Sequence, residues 1–199
     1  MDINKLNLEK FPINDQRINA DILNEFSCRV DKIDNFLKNE ALMQHDNYLS
    51  TTTIIYTAEK KEIVGFYTVQ NSILKLEEIN NNTNNIKRNN LSFNDIESFP
   101  TVHLAFFGIA SDYQNKKIGM SILLELYENL TSVVKNISGF IALTVLSLDN
   151  STEFYEKCGF SFMRTLNEND TSPKHMMINV DEMIGYTSNS VLKEAETVA

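Results

Sequence analysis

Two short segments of this 199-residue chain hold residues whose types and spacing suit chemistry. The first is Tyr113-Gln114-Asn115-Lys116-Lys117-Ile118-Gly119-Met120, set between an apolar strand pattern and a helix pattern. A polar turn that opens a helix is a physical anion site, because unpaired backbone N–H groups point outward and the helix dipole adds positive charge. Gly119 lets a ligand approach the backbone without a Cβ in the way, and Lys116 and Lys117 bring two cations. A diphosphate suits such a place; a plain strand-to-helix connection with exposed lysines accounts for the same residues. The second segment is Asn150-Ser151-Thr152-Glu153-Phe154-Tyr155-Glu156-Lys157-Cys158-Gly159-Phe160. Asn150 and Glu153 are spaced as a capping box and Gly159 suits a helix stop, so barely two turns present Phe154 and Tyr155 before a sharp turn into a strand. Tyr155 also reads as a core aromatic with its hydroxyl at the edge.

The elements around these segments follow from periodicity. Residues 17–43 read as helix, with Ile33, Phe36, Leu37 and Ala41 at helical spacing and Asp31 where a carboxylate favours an N-terminus. The β-branched run Thr51–Thr57, the charged turn AEKKE and the run IVGFYTVQ predict a β-hairpin over 51–70. Residues 73–79 fit a strand or a short helix. The Asn-rich stretch INNNTNNIKRNN is too polar for a core and falls in an exposed insertion loop at 80–100. After Pro100, VHLAFFGIA predicts a strand buried on both faces. Ile118, Ile122, Leu126, Leu130, Val133 and Val134 mark a helix packed on a sheet. FIALTVLSL is a second buried strand; a short helix over 151–157 follows, then strands FSFMRTL and HMMINV joined by the loop NENDTSPK. From Gly185 a polar tail, 185–199, is expected to be frayed or loosely docked. The order is a helical N-terminus, a hairpin, then βαβαβ, which predicts an α/β layered fold in one domain over 1–184.

Composition bounds the function. The hydrophobic share of 42% supports a core, and no apolar run approaches the ~20 residues a bilayer span needs. MDINKLNLEKF lacks the apolar h-region of a secretory signal, so a cytoplasmic protein with no membrane partner is expected. Cys28 and Cys158 form neither a disulfide framework nor a metal-ligand cluster, and no metal is expected. A net charge of -9 argues against a dedicated nucleic-acid binder, and an acidic rim would favour a cationic acceptor such as an amine.

Together the two segments resemble motifs A and B of the GNAT N-acetyltransferase superfamily. Gln114 to Met120 is similar to Gln/Arg-x-x-Gly-x-Gly/Ala after an apolar strand, with Lys117 in place of the first glycine. Tyr155 to Phe160 resembles the Tyr-Glu-Lys-x-Gly-Phe end of motif B, and Ile63-Val64-Gly65-Phe66-Tyr67 looks like the family's third strand. The resemblance spans roughly residues 20–180. It implies a GNAT fold: a central mixed sheet of six to seven strands, splayed between the motif-A strand and its neighbour and flanked by helices on both faces. It also implies acetyl-CoA as cosubstrate. By the family pattern, the backbone at Phe107 and Ile109 binds the pantetheine arm, and the backbone of Asn115, Lys116, Lys117, Ile118, Gly119 and Met120, next to Gln114, holds the pyrophosphate. The family's motif-B asparagine is Leu148 here, which leaves Asp149 or Asn150 for the cofactor. Tyr155 falls where the family protonates the departing thiolate; a phenol of pKa ~10 is matched to a thiol of ~8.5. His103 falls where the histone-acetylating branch carries its base, and a histidine bonded within the sheet is the other reading.

A narrower resemblance joins Phe26-Ser27-Cys28 and Val30-Asp31-Lys32-Ile33-Asp34-Asn35-Phe36-Leu37 to the opening of the aminoacyl-tRNA-acetylating toxins of this superfamily. Such toxins bind tRNA through a basic groove and pair with an antitoxin. The acidic net charge ranks this reading second to an acetyltransferase acting on a small-molecule or peptidyl amine. A catalytically silent coenzyme A-binding module is the third reading. A homodimer stays open.

Overall fold

The computed structural model describes residues 7–75, 98–165 and 173–188. The Asn-rich stretch, most of the loop NENDTSPK and the tail beyond 188 lie outside the described residues. The strands are β1 (Leu8–Pro12), β2 (Thr51–Thr57), β3 (Glu62–Lys75), β4 (Ser98–Ile109), β5 (Ala142–Ser147), β6 (Ser161–Thr165) and β7 (Lys174–Asn179). They form one mixed seven-stranded sheet in the order β1-β2-β3-β4-β5-β7-β6. The helices are α1 (Ala20–Glu25), α2 (Asp31–Asn39), α3 (Ala41–Asp46), α4 (Ile118–Asn136) and α5 (Thr152–Lys157), followed by helical residues 180–188. The chain divides into two compact units, Met1–Gln70 with Leu104–Ser121 and Asn71–His103 with Ile122–Ala199.

In the first unit, β1 and β3 flank β2, both antiparallel to it, with a register irregularity between Ile55 and Tyr56. The expected hairpin is present, and β3 continues to Lys75. Residues 63–68 of β3 are buried without alternation, as befits a strand inside a sheet. Phe11, Ile13, Ile54, Ile63 and Phe66 form the core with Leu23, Phe36, Leu37 and Ala41 from the helices and Phe26 from just after α1. Phe36 stacks on Phe106 at 3.5 Å, and Phe26 meets Phe66 edge-on at 5.4 Å. Close approach of backbone is required at Gly65 and Gly108: a Cβ on Gly65 would lie 2.8 Å from the Gly108 carbonyl oxygen, and one on Gly108 2.9 Å from the Phe66 ring.

The single helix expected over 17–43 is instead three. Asn19 caps α1 through its side chain, which accepts from the Ile22 N–H. The chain is then extended at Phe26, and Arg29 turns left-handed at φ 66°. The reason lies in Asp34, in α2. Its carboxylate accepts from Ser27 Oγ at 2.7 Å and from the Cys28 N–H at 2.8 Å, offering residues 27–28 partners that a continuous helix would replace. Periodicity reports the buried face of α2 correctly and is blind to this side chain-to-backbone competition. His45 is also structural, its Nδ1 accepting from the Thr52 N–H at 3.1 Å.

In the second unit, β7 pairs antiparallel with both β5 and β6, the latter with an irregularity between Phe162 and Arg164. Ile122, Leu123, Leu126, Tyr127 and Leu130 form the buried stripe of α4. Leu74, Phe99, Ala142, Met163 and Met177 make a smaller core. Strand β4 is not buried on both faces as the apolar run predicted. Along its length Leu104 and Gly108 are buried, while Val102, His103 and residues 105–107 are half-buried. An apolar run marks a strand inside a sheet, not one whose two faces are both covered. Residues 180–188, which include the first four of the expected tail, are helical, and the rest of that tail lies outside the described residues. Asn179 Oδ1 accepts from the Glu182 N–H and Glu182 Oε2 accepts from the Asn179 N–H, a reciprocal capping box, and Met183 is fully buried.

Candidate active site

The Gln114–Met120 loop lies wholly in the first unit, with Phe107 and Ile109. A short 3-10 turn, Ser111–Tyr113, leaves the end of β4. The backbone then passes through two left-handed residues, Asn115 at φ 59° and Lys117 at φ 62°. Lys117 therefore holds the conformation that the family's glycine takes without strain, at a cost of about 1–2 kcal/mol for a residue with a Cβ. Its carbonyl accepts from the Ser121 N–H at 3.2 Å and so opens α4. The N–H groups of Ile118, Gly119 and Met120, in the first turn, have no partner within the helix. No acidic residue stands in that turn to occupy them. A helix N-terminus without a competing carboxylate suits an anion such as a diphosphate.

The side chains around the loop do something other than the sequence implied. Gln114 points back, and its Nε2 donates to the Ile109 carbonyl at 2.9 Å and to the Cys28 carbonyl at 3.0 Å. Lys116 folds onto the turn before it, donating to the Asp112 carbonyl, with Nζ 5.3 Å over the Tyr113 ring. Of the two expected cations, Lys117 alone is exposed. The Tyr113 hydroxyl donates to Glu62. A cavity of about 120 Å³ opens beside this turn, and Glu25, Glu62 and Asp112 in its lining make it unfit for phosphate.

Tyr155, Asn150 and His103 belong to the second unit. Helix α5 ends as a Schellman turn: the Phe160 N–H donates to the Tyr155 carbonyl and the Gly159 N–H to that of Glu156, with Gly159 at φ 92°. This turn fixes the Tyr155 ring edge-on to Phe154 at 5.2 Å and to Phe160 at 5.3 Å. Tyr155 is buried, and burial, with Cys158 beside it, pushes its phenol well above the ordinary value, so it stays protonated. The expected Asn150–Glu153 capping box is absent. Asn150 lies exposed in a 3-10 turn, Asp149–Ser151, where it accepts from Ser151 Oγ, and Glu153 pairs with Lys157 at 2.7 Å. The preceding 3-10 turn makes Ser151 the residue before α5, so Asn150 is one position too early to cap.

His103 Nδ1 lies 2.9 Å from Thr144 Oγ1, and that hydroxyl donates to the Val102 carbonyl at 3.4 Å. Which atom of the His103–Thr144 pair donates depends on the imidazole tautomer. Burial, aided by nearby His175, lowers the imidazole to about 4. His103 is neutral at pH 7 and a weak base.

Sequence patterns do not reveal three residues of these turns. Tyr186, on the helical segment 180–188, lies over Gly159, where an added Cβ would meet its ring at 2.4 Å. Tyr127 donates its hydroxyl to the Cys158 carbonyl at 2.8 Å and closes the same turn from α4. Asp34 organises the Cys28 backbone that receives Gln114. The Asn179-x-x-Glu182 box was a readable signal for the segment carrying Tyr186; no local pattern marks the other two. Among the described residues no group of three or more His, Cys, Asp or Glu side chains is placed to hold a metal ion. No helix among them is long and apolar enough to cross a membrane.

Comparison with known proteins bears on this geometry. A family profile described as the acetyltransferase (GNAT) family matches residues 20–160. No curated protein matches the chain by sequence. Among solved structures, one described as a bacterial toxin superposes with TM-score 0.72 at 15% identity, over 90% of this chain and 94% of its own. AtaTR bound with AcCoA gives TM-score 0.69 at 18% identity, over 88% and 95%. AtaT complexed with acetyl-methionyl-tRNAfMet gives 0.68 at 18%, over 88% and 96%. At such identities the likeness is one of fold.

Proposed function

This chain belongs to the acetyltransferase (GNAT) family, and from that premise we propose that it transfers an acetyl group from acetyl-CoA to a primary amine presented as an α-amine. The observation that carries the reading is the Gln114–Met120 loop: left-handed at Asn115 and Lys117, it opens α4, whose first-turn N–H groups have no partner within the helix and no acidic residue beside them. Bound acetyl-CoA supplies the activated thioester. The N–H groups of Ile118, Gly119 and Met120 hold its diphosphate, and the backbone at Phe107 and Ile109 receives the pantetheine arm. The Ile109 carbonyl also accepts from Gln114, so the strand end and the loop are held together. As the amine nitrogen bonds to the acetyl carbon and the C–S bond breaks, the Tyr155 hydroxyl gives its proton to the sulfur, and the proton that the nitrogen loses on becoming an amide returns the phenol to its neutral form. Burial keeps this phenol protonated at neutral pH, and its raised pKa makes it a weaker acid than a free phenol, so the proton moves only as charge develops on the sulfur.

His103 narrows the acceptor. A lysine ammonium of pKa ~10.4 is neutral about once in two thousand molecules at pH 7 and needs a base, whereas an α-amine of ~8 is neutral about a tenth of the time. A histidine held near 4 gives little help, so the α-amine is the better partner. The aminoacyl group of a charged tRNA is one such amine, and this second reading is supported by the toxin folds that the chain superposes on and by the Phe26–Leu37 opening. The net charge of -9 weighs against it, because phosphate contacts carry much of the affinity for RNA.

The test is thiol release from acetyl-CoA with three acceptors: a lysine-bearing peptide with a blocked N-terminus, a peptide with a free N-terminus, and aminoacyl-tRNA. Turnover of the α-amines over lysine is expected. Growth arrest on induction, abolished by Tyr155→Phe, would put the tRNA reading first. Binding of acetyl-CoA without thiol release to any amine would make the chain a silent coenzyme A-binding module.

A further inference from the structure

We infer that Asp34, remote in sequence from both motifs, is a positioning residue for the cofactor loop, acting through the backbone of Ser27–Cys28 and the side chain of Gln114; the inference rests on the acetyl-CoA reading above. The chain of contacts is continuous and lies within one unit. The Asp34 carboxylate accepts from Ser27 Oγ at 2.7 Å and from the Cys28 N–H at 2.8 Å. Ser27 Oγ also accepts from the Arg29 N–H at 3.2 Å, where the backbone is left-handed. So clamped, the segment offers two carbonyls to the far side. That of Ser27 accepts from the Ser111 N–H at 2.9 Å, and that of Cys28 from Gln114 Nε2 at 3.0 Å. The second Gln114 proton goes to Ile109 at 2.9 Å.

Gln114 therefore directs both amide protons to carbonyls at the two edges of the loop start, and neither to a ligand. Its placement depends on the Cys28 carbonyl pointing at it. That carbonyl belongs to the Cys28–Arg29 peptide, whose N–H is held by Ser27 Oγ. Ser27 Oγ is in turn held by Asp34, which also fixes the preceding peptide through the Cys28 N–H. A carboxylate suits this role because bonds to an ionised acceptor are about twice as strong as neutral ones. The bonds from Cys28 and Ser27 outweigh burial and keep Asp34 below its ordinary pKa, so the clamp is charged at neutral pH. Exposed Arg29 holds a left-handed backbone, φ 66°, in the turn that Ser27 Oγ closes by accepting its N–H.

The experiment measures the affinity of the full chain for acetyl-CoA by calorimetry, with melting temperature recorded beside it. Asp34→Ala removes both acceptors and is expected to raise Kd about tenfold. Asp34→Asn keeps an oxygen for the Cys28 N–H and an amide for Ser27 Oγ, and should restore most of the affinity. In a Gln114→Met background, which lacks the donors, the Asp34→Ala effect should shrink, since coupled residues are non-additive. A purely structural Asp34 would lower the melting temperature and leave Kd unchanged below the transition, and that result overturns the inference. So does an undiminished tenfold effect in Gln114→Met, which would mean that Asp34 acts by another route. Should Asp34→Ala not fold, Ser27→Ala removes one of the two bonds and carries the same comparison. A wild-type chain that fails to bind acetyl-CoA would instead defeat the reading on which this inference stands.

Discussion

At the scale of single residues, Tyr155 and His103 make opposite predictions. Tyr155→Phe keeps both edge-on ring contacts and removes one proton. Turnover should fall ~10²-fold or more with acetyl-CoA affinity preserved, because general-acid contributions are typically ~10²–10⁴. Steady-state rates with calorimetric Kd check this, and an unchanged rate would make Tyr155 a packing residue. His103, neutral and held by Thr144, should leave the pH–rate profile between pH 6 and 8 untouched when changed to Gln. Its mark falls on stability instead. The folded imidazole titrates at about 4 and the unfolded one near 6.5, so between those values the unfolded chain binds more protons. The contribution is present in full above about 6.5 and is lost as pH falls through 4, by about 3 kcal/mol in all. Unfolding in denaturant at pH 7 and pH 4.5 should show that loss in the wild type and much less of it in His103→Gln.

At the scale of elements, the Gln114–Met120 loop and the α5 turn both depend on left-handed residues. Lys117→Gly relieves strain in the folded loop but adds freedom to the unfolded chain, and the two nearly cancel. Stability within about 0.5 kcal/mol of wild type and an unaltered thermal shift with acetyl-CoA are expected. Lys117→Val resists the left-handed region and should lose about 1–2 kcal/mol together with most of that shift. Gly159→Ala meets both its own φ of 92° and the Tyr186 ring, and should cost about 2 kcal/mol in chemical denaturation. Sequence patterns read these elements unevenly. The stripe of α4, the hairpin and the Gly159 stop were legible because each is a local rule obeyed without competition. The helix over 17–43 was not, because Asp34 breaks it by a contact outside any periodicity. Asn150 failed as a cap for a similar reason, a 3-10 turn having moved the helix start by one residue.

At the scale of the whole molecule, strand–helix order was legible and strand neighbours were not. The βαβαβ order over 102–164 is present, yet β7 lies between β5 and β6, antiparallel to both. Chain order cannot report that a later strand inserts, since the insertion is set by which apolar faces match. Gly119→Val tests the site at this scale: the melting shift with acetyl-CoA should vanish while the unliganded melting temperature stays close to wild type. The covering of Gly159 by Tyr186 also has a consequence in time. Translation delivers Tyr155 and its turn before the helical segment that carries Tyr186. A nascent chain halted just after β7 would hold the tyrosine and its strands but lack the ring over the turn. Ribosome-bound chains of increasing length should therefore acquire native protection of the α5 turn late, when residue 186 clears the exit tunnel, and well after the strands that precede it.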